Sequence, residues 1–287
     1  MIPAAFEYQR ATSLDEALAK MAAAGGSGKF LAGGHSLVPL MKLRLSEPGT
    51  LIDIGRIAEL SGIREKDGRI EIGAATVHHA VATSSLLKDR CPVVTEAAAT
   101  IGDAQVRNRG TIGGSLAHAD PSADMPAVMV ALDADVHLRS AKGSRVVKAV
   151  DFFQDLFTVD MQPGEILTAV SFAPAKASAY AKLFQKASHY AIVGVAAAVD
   201  VKGGTIQSAR VGLTGASSRA MRLSKVEQAL AGQAASPATI DKASLDAGGG
   251  IEPVNADIHA SREYRRAMIA VFTRRALAAA LARAGVA

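Results

Sequence analysis

The chain has 287 residues, a net charge of +5, and 49% hydrophobic against 21% charged residues. Its length is about twice that of a typical domain, which predicts two domains, and its composition is typical of a globular protein with a sizeable core. The Lys and Arg residues are scattered, which argues against nucleic-acid binding. No apolar run approaches the ~20 residues of a transmembrane helix and no signal peptide opens the sequence, so we expect a cytoplasmic protein.

The first third of the chain predicts alternating helices and strands. Ser13 is a suitable helix cap and acidic residues follow it, which predicts a helix over 13–24. Short apolar runs between glycines and polar residues predict buried strands. The other elements expected here are strands at 29–33 and 50–57, a strand followed by a helix across 68–84, and a helix over 93–102.

The rest of the chain predicts a mainly antiparallel pattern. Segment 103–140 is rich in Gly, Asp and Asn and begins without clear periodicity, a pattern in which functional residues concentrate. Alternating residues then predict a hairpin, a further strand and an antiparallel meander, and alanine-rich periodicity predicts a terminal helix. These elements are the hairpin at 134–150, the strand at 165–172, a linker at 173–179, the meander after it, and the helix at 261–284.

The linker at 173–179 is small and contains a proline, so it is a plausible boundary between two domains.

The single cysteine, Cys91, limits the chemistry available to the chain. It excludes an intrachain disulfide and a self-contained iron–sulfur cluster, which needs about four thiolates. We expect Cys91 to be a buried structural thiol. His78 and His79 have no third ligand at a suitable spacing, so no metal site is predicted.

Two similar glycine segments are the main candidate site. Ala32–Ser36 reads AGGHS and Thr111–Ser115 reads TIGGS, so each places a Gly-Gly pair beside a hydroxyl residue. Glycine pairs let successive backbone N–H groups point into one concavity, which suits an anion. A single pair usually marks a turn, but two facing pairs could hold a diphosphate. The chain has no G-x-G-x-x-G fingerprint, and its GGSGKF run lacks the spacing and the hydroxyl residue of a P-loop.

Other polar residues near the second glycine segment allow more than one role. Asp120 and Asp124 suit hydrogen bonds to ribityl or ribose hydroxyls, or turn and cap chemistry. Arg107 and Arg109 suit phosphate, or carboxylates such as Asp103. A His118–Asp120 pair without a nucleophile is not a mechanism, so we predict no catalytic residues.

Four stretches together resemble a known family. AGGHSLVPLMKLRL, LIDIGRI, IGDAQVRNRGTIGGSLAHADPSADMPA and the EYRRAM…RRAL ending are similar, in order and spacing, to FAD-binding medium subunits of molybdenum hydroxylases. The likeness is greatest to medium chains of aerobic carbon monoxide dehydrogenases, which are related to the FAD domain of xanthine dehydrogenase. It implies an α+β fold. Residues 1–177 would form a PCMH-type FAD-binding domain of two α/β subdomains, about 1–55 and 56–177, and residues 178–287 a domain of an antiparallel sheet with helices.

The resemblance also implies a cofactor site and partners. It implies that the two glycine segments hold the FAD pyrophosphate, and that an aspartate and a leucine also contact FAD. The implied site residues are Ala32, Gly33, Gly34, His35, Ser36, Thr111, Ile112, Gly113, Gly114, Ser115, Asp124 and Leu167. The implied partners are a large subunit with the molybdopterin cofactor and a small subunit with two 2Fe-2S clusters, assembled as a dimer of heterotrimers. Electrons would pass from molybdenum through the clusters to FAD, then to an external acceptor.

The sequence departs from the family pattern at two places. Ser122 and Ala123 replace Gly and Asn of many relatives, which affects the expected ribityl contacts. His189 replaces an Asp that precedes a tyrosine near the flavin, here Tyr190, so the electron acceptor need not be the same.

Two alternatives remain open from the sequence. One is a stand-alone flavin oxidase with FAD linked covalently to His35, because related folds attach FAD to a histidine in a Gly-Gly-His context. The other is a non-enzymatic nucleotide-binding or assembly protein.

Overall fold

The computed structural model describes residues 1–286 and confirms the α+β fold class. The chain begins with β1 (Glu7–Arg10), α1 (Leu14–Ala23), β2 (Gly28–Leu31), α2 (Leu37–Lys42) and β3 (Thr50–Asp53). The three strands form a parallel sheet in the order β1–β3–β2. The Ser13 side chain accepts a hydrogen bond from the N–H of Glu16 at 3.2 Å, so it caps α1 as predicted.

A five-stranded antiparallel sheet with short helices follows, in the strand order β4–β5–β10–β6–β7. The predicted hairpin at 134–150 is confirmed as β6 and β7. The elements are β4 (Ile63–Lys66), β5 (Arg69–Gly73), α3 (His78–Thr83), α4 (Ser85–Arg90), α5 (Pro92–Ala99), α6 (Ala104–Arg107), α7 (Ile112–His118), α8 (Asp124–Ala131), β6 (Asp135–Ser140), β7 (Gly143–Lys148), α9 (Ala149–Phe152), β8 (Phe153–Asp155), β9 (Thr158–Val159) and β10 (Ile166–Phe172), with a 3-10 turn at Ala58–Leu60.

The glycine-rich segment expected to begin irregularly instead contains helices α6 and α7. Local side-chain caps explain the difference. Asp103 accepts a hydrogen bond from the N–H of Val106 at 2.8 Å, and Thr111 accepts one from the N–H of Gly114 at 3.1 Å. Both caps satisfy N–H groups at the helix starts, and the Thr111 cap offsets the low helix propensity of Gly113 and Gly114 in α7.

A four-stranded antiparallel sheet forms the last part of the fold, in the order β11–β12–β13–β14. Its elements are β11 (Ser178–Phe184), β12 (Ala191–Lys202), β13 (Thr205–Thr214), β14 (Met221–Arg222), α10 (Ser224–Leu230), α11 (Pro237–Ser244) and α12 (Arg262–Arg283). The meander and the terminal helix are therefore confirmed. Helix α12 packs against β11 and β12, whereas α8 packs against β12 and β13. The fully buried helix α8 begins at Asp124 and packs against the four-stranded sheet.

Candidate functional site

The two glycine segments meet at one cleft. A side chain on Gly33 would place its Cβ 2.1 Å from the carbonyl oxygen of Arg109 and 2.9 Å from Cα of Gly110, so the two loops touch through their backbones. Both segments line a cleft of ≈ 680 Å³, together with α7, the start of α8, β10 and the loop before β12. Glycine is required at position 33 because the loops approach each other, and not because the missing side chain opens space for a ligand.

The first glycine segment offers unused backbone donors. Within residues 1–286, no protein group accepts a hydrogen bond from the N–H groups of residues 33–36. The hydrogen bond recorded for the His35 imidazole within residues 1–286 lies in its own loop, where Nδ1 is 3.1 Å from the carbonyl oxygen of Gly33. A run of free N–H groups beside a cleft is suited to bind an anion.

The second glycine segment differs from the sequence prediction. The N–H of Ile112 donates to the carbonyl of Thr76 at 3.0 Å, and that of Gly113 donates to the carbonyl of Ala74 at 2.8 Å. The N–H of Gly114 is taken by the Thr111 hydroxyl. The start of α7 is thus docked on residues 74–76, and this docking uses the donors expected for a ligand. This segment contributes a wall and the side chains of Thr111 and Ser115, but no nest of free N–H groups.

The structure brings most of the expected site residues to the cleft. All of the residues implied by the family resemblance line it except Ile112, whose side chain is fully buried in the core. Leu167 and Asp124 line the cleft, and so do His189 and Tyr190. As contacts to FAD, these residues stay predictions.

Asp124 is held by two residues that sequence reasoning missed. Lys182 Nζ lies 2.8 Å from one carboxylate oxygen, and the Tyr180 hydroxyl donates to the other at 2.5 Å. Burial raises the pKa of Asp124, while Lys182 and Tyr180 oppose that rise; burial and Asp124 raise the pKa of Tyr180. Tyr180 and Lys182 are two residues apart on β11, so they share one face of the strand. The sequence signal that could have indicated this pair is Lys182, the one charged residue of an otherwise uncharged strand, β11.

Three other polar candidates, Asp120, Arg107 and His189, form hydrogen bonds with backbone groups of the protein. Asp120 accepts a hydrogen bond from the N–H of Ser122 at 2.8 Å, which is the turn role left open by the sequence. Arg107 donates to the carbonyls of Ile101 and Gly102 at 2.9 and 3.1 Å. His189 adopts a left-handed backbone conformation with φ of 60°, and its Nδ1 lies 2.8 Å from the same Gly102 carbonyl.

Cys91 is buried, and burial raises the pKa of its thiol to about 12. The prediction that Cys91 is buried is confirmed, and the raised pKa keeps it in the thiol form, whereas the thiolate is the reactive form.

His78 lines the cleft from the start of α3 and is 4% exposed. Burial, together with the nearby Arg107 cation, lowers the pKa of His78 from 6.5 to about 4. The folded chain therefore keeps His78 neutral at pH values where the unfolded chain binds a proton. The contribution of neutral His78 to the free energy of unfolding should be fully present above pH 6.5 and should decline as the pH falls toward 4.

This pKa predicts a measurable pH dependence. Since one pKa unit corresponds to about 1.4 kcal/mol, His78 should contribute a loss of up to about 3 kcal/mol of unfolding free energy across that window. Urea unfolding at a series of pH values should show that this part of the slope disappears in His78→Gln. The exposed neighbour provides the control, because His79→Gln should retain the slope. Equal slopes for wild type and His78→Gln would contradict the assignment.

Comparison with known proteins identifies the family. Residues 4–175 match the family described as the FAD binding domain in molybdopterin dehydrogenase, and residues 178–280 match the CO dehydrogenase flavoprotein C-terminal domain. The chain belongs to the FAD-binding family of molybdopterin dehydrogenases. Within residues 1–286, no helix is both long and apolar enough to span a membrane.

Relatives of this flavoprotein family match the whole chain. It is 39% identical over 286 residues to the carbon monoxide dehydrogenase medium chain of Hydrogenophaga pseudoflava, with 99% of each chain covered. It is 37% identical to the glyceraldehyde dehydrogenase medium chain of Sulfolobus acidocaldarius, covering 96% of this chain and 98% of the relative. A solved carbon monoxide dehydrogenase from H. pseudoflava, in a form lacking the Mo-pyranopterin moiety of its cofactor, matches with a TM-score of 0.94 at 40% identity over 99% of both chains. The resemblance is confirmed: the chain is a medium, FAD-binding oxidoreductase subunit.

Proposed function

We propose that this chain holds FAD in the cleft and passes electrons from iron–sulfur clusters of a partner subunit to an external acceptor. The observation that carries the proposal is the meeting of two distant glycine segments at one cleft, inside a matched FAD-binding domain. The alternatives, a covalent oxidase using His35 and a non-enzymatic assembly protein, have no such support.

The cleft residues fit the parts of FAD. The free N–H groups of residues 33–36 suit the diphosphate, with hydroxyls of Ser36, Thr111 and Ser115 nearby. The cleft volume of ≈ 680 Å³ lies within the range of about 300–1,000 Å³ for ligand sites. Apolar side chains such as Leu37, Leu40 and Leu167 line other parts of the wall and suit ring systems.

In this proposal the chain itself binds FAD and determines the surroundings of its rings. FAD, when bound, supplies the redox chemistry, since it exchanges electrons singly or in pairs. The residues of this chain bind the diphosphate, fix the orientation of the rings and limit the access of water. Asp124 is already paired with Lys182 and Tyr180, so we assign it the role of holding the cleft wall in shape. We assign no residue as an acid, base or nucleophile.

The proposed assembly follows the family. We propose a large molybdopterin subunit and a small subunit with two 2Fe-2S clusters, as a dimer of heterotrimers in the cytoplasm. Within this chain we propose an FAD-binding domain of residues 1–177, with subdomains of about 1–55 and 56–177, and a second domain of residues 178–287. The two relatives are named for different substrates, carbon monoxide and glyceraldehyde. We therefore propose that the partner subunits select the substrate.

Purification of the chain with its partners tests the proposal. One FAD per chain is expected, and acid precipitation should leave the flavin in the supernatant; the hydrogen bond between His35 Nδ1 and the Gly33 carbonyl supports a role of His35 in shaping its loop. Flavin in the pellet would favour the covalent alternative, and a complex without flavin would contradict the proposal. Bound flavin that is never reduced when carbon monoxide, an aldehyde or an N-heterocycle is supplied would favour the assembly protein.

A further inference from the structure

The EYR sequence at the start of α12 contains a charged side chain that the cleft does not explain. Arg265 is 2% exposed, although it carries a permanent positive charge. One terminal nitrogen donates to the carbonyl of Ile192 at 2.7 Å and to that of Gly215 at 2.8 Å, and the other donates to the Asp257 carboxylate at 2.5 Å. Its Nε has no partner within residues 1–286. A buried charge is costly unless it is paired, so its place here needs a reason.

The two carbonyls that Arg265 binds lie near neighbouring ends of β12 and β13. These same strand ends hold the loop between α7 and α8. The N–H of Ala191 donates to the carbonyl of Ser122 at 3.1 Å, and the N–H of Gly215 donates to the carbonyl of Pro121 at 2.7 Å. The Thr214 hydroxyl lies 2.8 Å from the carbonyl oxygens of both Pro121 and Ala123.

The loop held in this way forms part of the cleft. Asp120 and Ala123 line the cleft, and so do Asp124 after the loop and Tyr190 just before β12. One chain of hydrogen bonds therefore runs from α12 through the strand ends to the cleft wall. Helix α12 already packs on the sheet through apolar residues such as Ile269, Phe272 and Ala276, so packing alone does not require an arginine at its start.

We propose that Arg265 is a positioning residue of the FAD cleft, which fixes the ends of β12 and β13 and through them the 120–124 wall. This inference rests on the proposed function. Arginine suits the task because its planar guanidinium offers several donors in fixed directions. A lysine ammonium is smaller and cannot bridge the same three acceptors with the same geometry, and methionine fills the space without donors.

The test compares Arg265→Met, Arg265→Lys and Arg274→Met in the complex with its partners. Arg274 lies on the same helix, but its side chain is 55% exposed and 3.8 Å from Asp241, so it serves as the control. Arg265→Met should weaken FAD binding about tenfold and alter the visible circular dichroism of the bound flavin. Arg265→Lys should recover part of both, and Arg274→Met should change neither.

A double-mutant cycle tests the route. Thr214→Val removes the hydroxyl that holds the loop, so its effect on FAD affinity should be less than additive with that of Arg265→Met. If Arg265→Met does not fold, Asp257→Asn removes the charge partner and should give a smaller change in the same direction, again less than additive with Thr214→Val.

The outcomes separate this inference from the proposed function. A wild-type complex without FAD would overturn both. A wild-type complex with FAD, beside an Arg265→Met complex with unchanged affinity and flavin spectrum and only a lower Tm, would overturn the role of Arg265 alone. The role of Arg265 would also be overturned if the effect of Thr214→Val on FAD affinity were strictly additive with that of Arg265→Met or with that of Asp257→Asn.

Discussion

Replacing Lys182 with methionine should lower the free energy of unfolding by about 3–5 kcal/mol at neutral pH, because it leaves a buried carboxylate without its cation. The side chains of Lys182 and Asp124 are only 3% and 5% exposed, and their charged atoms lie 2.8 Å apart. The Tyr180 hydroxyl remains as a partner but carries no compensating charge. Urea unfolding of the variant and the wild type measures the loss.

The pH dependence of this loss has a definite sign. Burial already raises the pKa of Asp124, and removal of Lys182 removes the main opposing influence. The folded variant would then hold a proton that the unfolded chain has released, so its stability should fall as the pH rises. The loss should therefore be smaller at about pH 5 than at about pH 8.

A second substitution provides the control for Lys182→Met. Adding Asp124→Asn removes the unpaired charge, so the double variant should regain most of the stability lost by Lys182→Met alone. A single variant that is as stable as the wild type, or a double variant that is less stable than the single one, would contradict the buried ion pair.

Replacing Gly33 with alanine should separate the two glycine loops and remove FAD binding. The new Cβ would lie 2.1 Å from the Arg109 carbonyl oxygen, and backbone atoms of the facing loop cannot move aside without shifting the loop. Overpacking of this kind typically costs about 1–3 kcal/mol, and here the strain falls on the cleft itself. Unfolding free energy and the FAD content of the purified complex measure the two effects.

Gly114→Ala is the matched control for Gly33→Ala. Its Cβ would meet only the Thr111 hydroxyl, at 2.8 Å. That side chain can rotate, so the expected loss is about 1 kcal/mol, the typical value of a helix cap. FAD content equal to wild type in Gly33→Ala, or a greater loss of unfolding free energy in Gly114→Ala than in Gly33→Ala, would contradict the described contact between the loops.

Local sequence signals predicted much of the fold. The Ser13 cap, the hairpin at 134–150 and the terminal helix depend on neighbouring residues, and the structure confirms all three. The helices around Thr111 were missed because glycine-rich composition outweighed the capping residues in the prediction. Their caps join residues only three positions apart, so they were readable in principle.

The candidate site required contacts that sequence spacing does not reveal. The pairing of Asp124 with Lys182 joins residues 58 positions apart, on α8 and β11. The glycine segments did meet, as the family resemblance implied, but only the first keeps free N–H groups. The second uses its donors on residues 74–76, and that docking depends on how α7 packs against the end of β5.

Whether FAD binds in this cleft can be measured directly as the flavin content of a complex in which a larger side chain fills the cleft. Ser115 lines the cleft, and Ser208 is exposed on β13 away from it. The wild type and Ser208→Leu should each carry one FAD per chain, whereas Ser115→Leu should carry little or none while keeping the wild-type Tm of the flavin-free chain. Full FAD occupancy in Ser115→Leu would show that the cofactor is held elsewhere and would contradict the account.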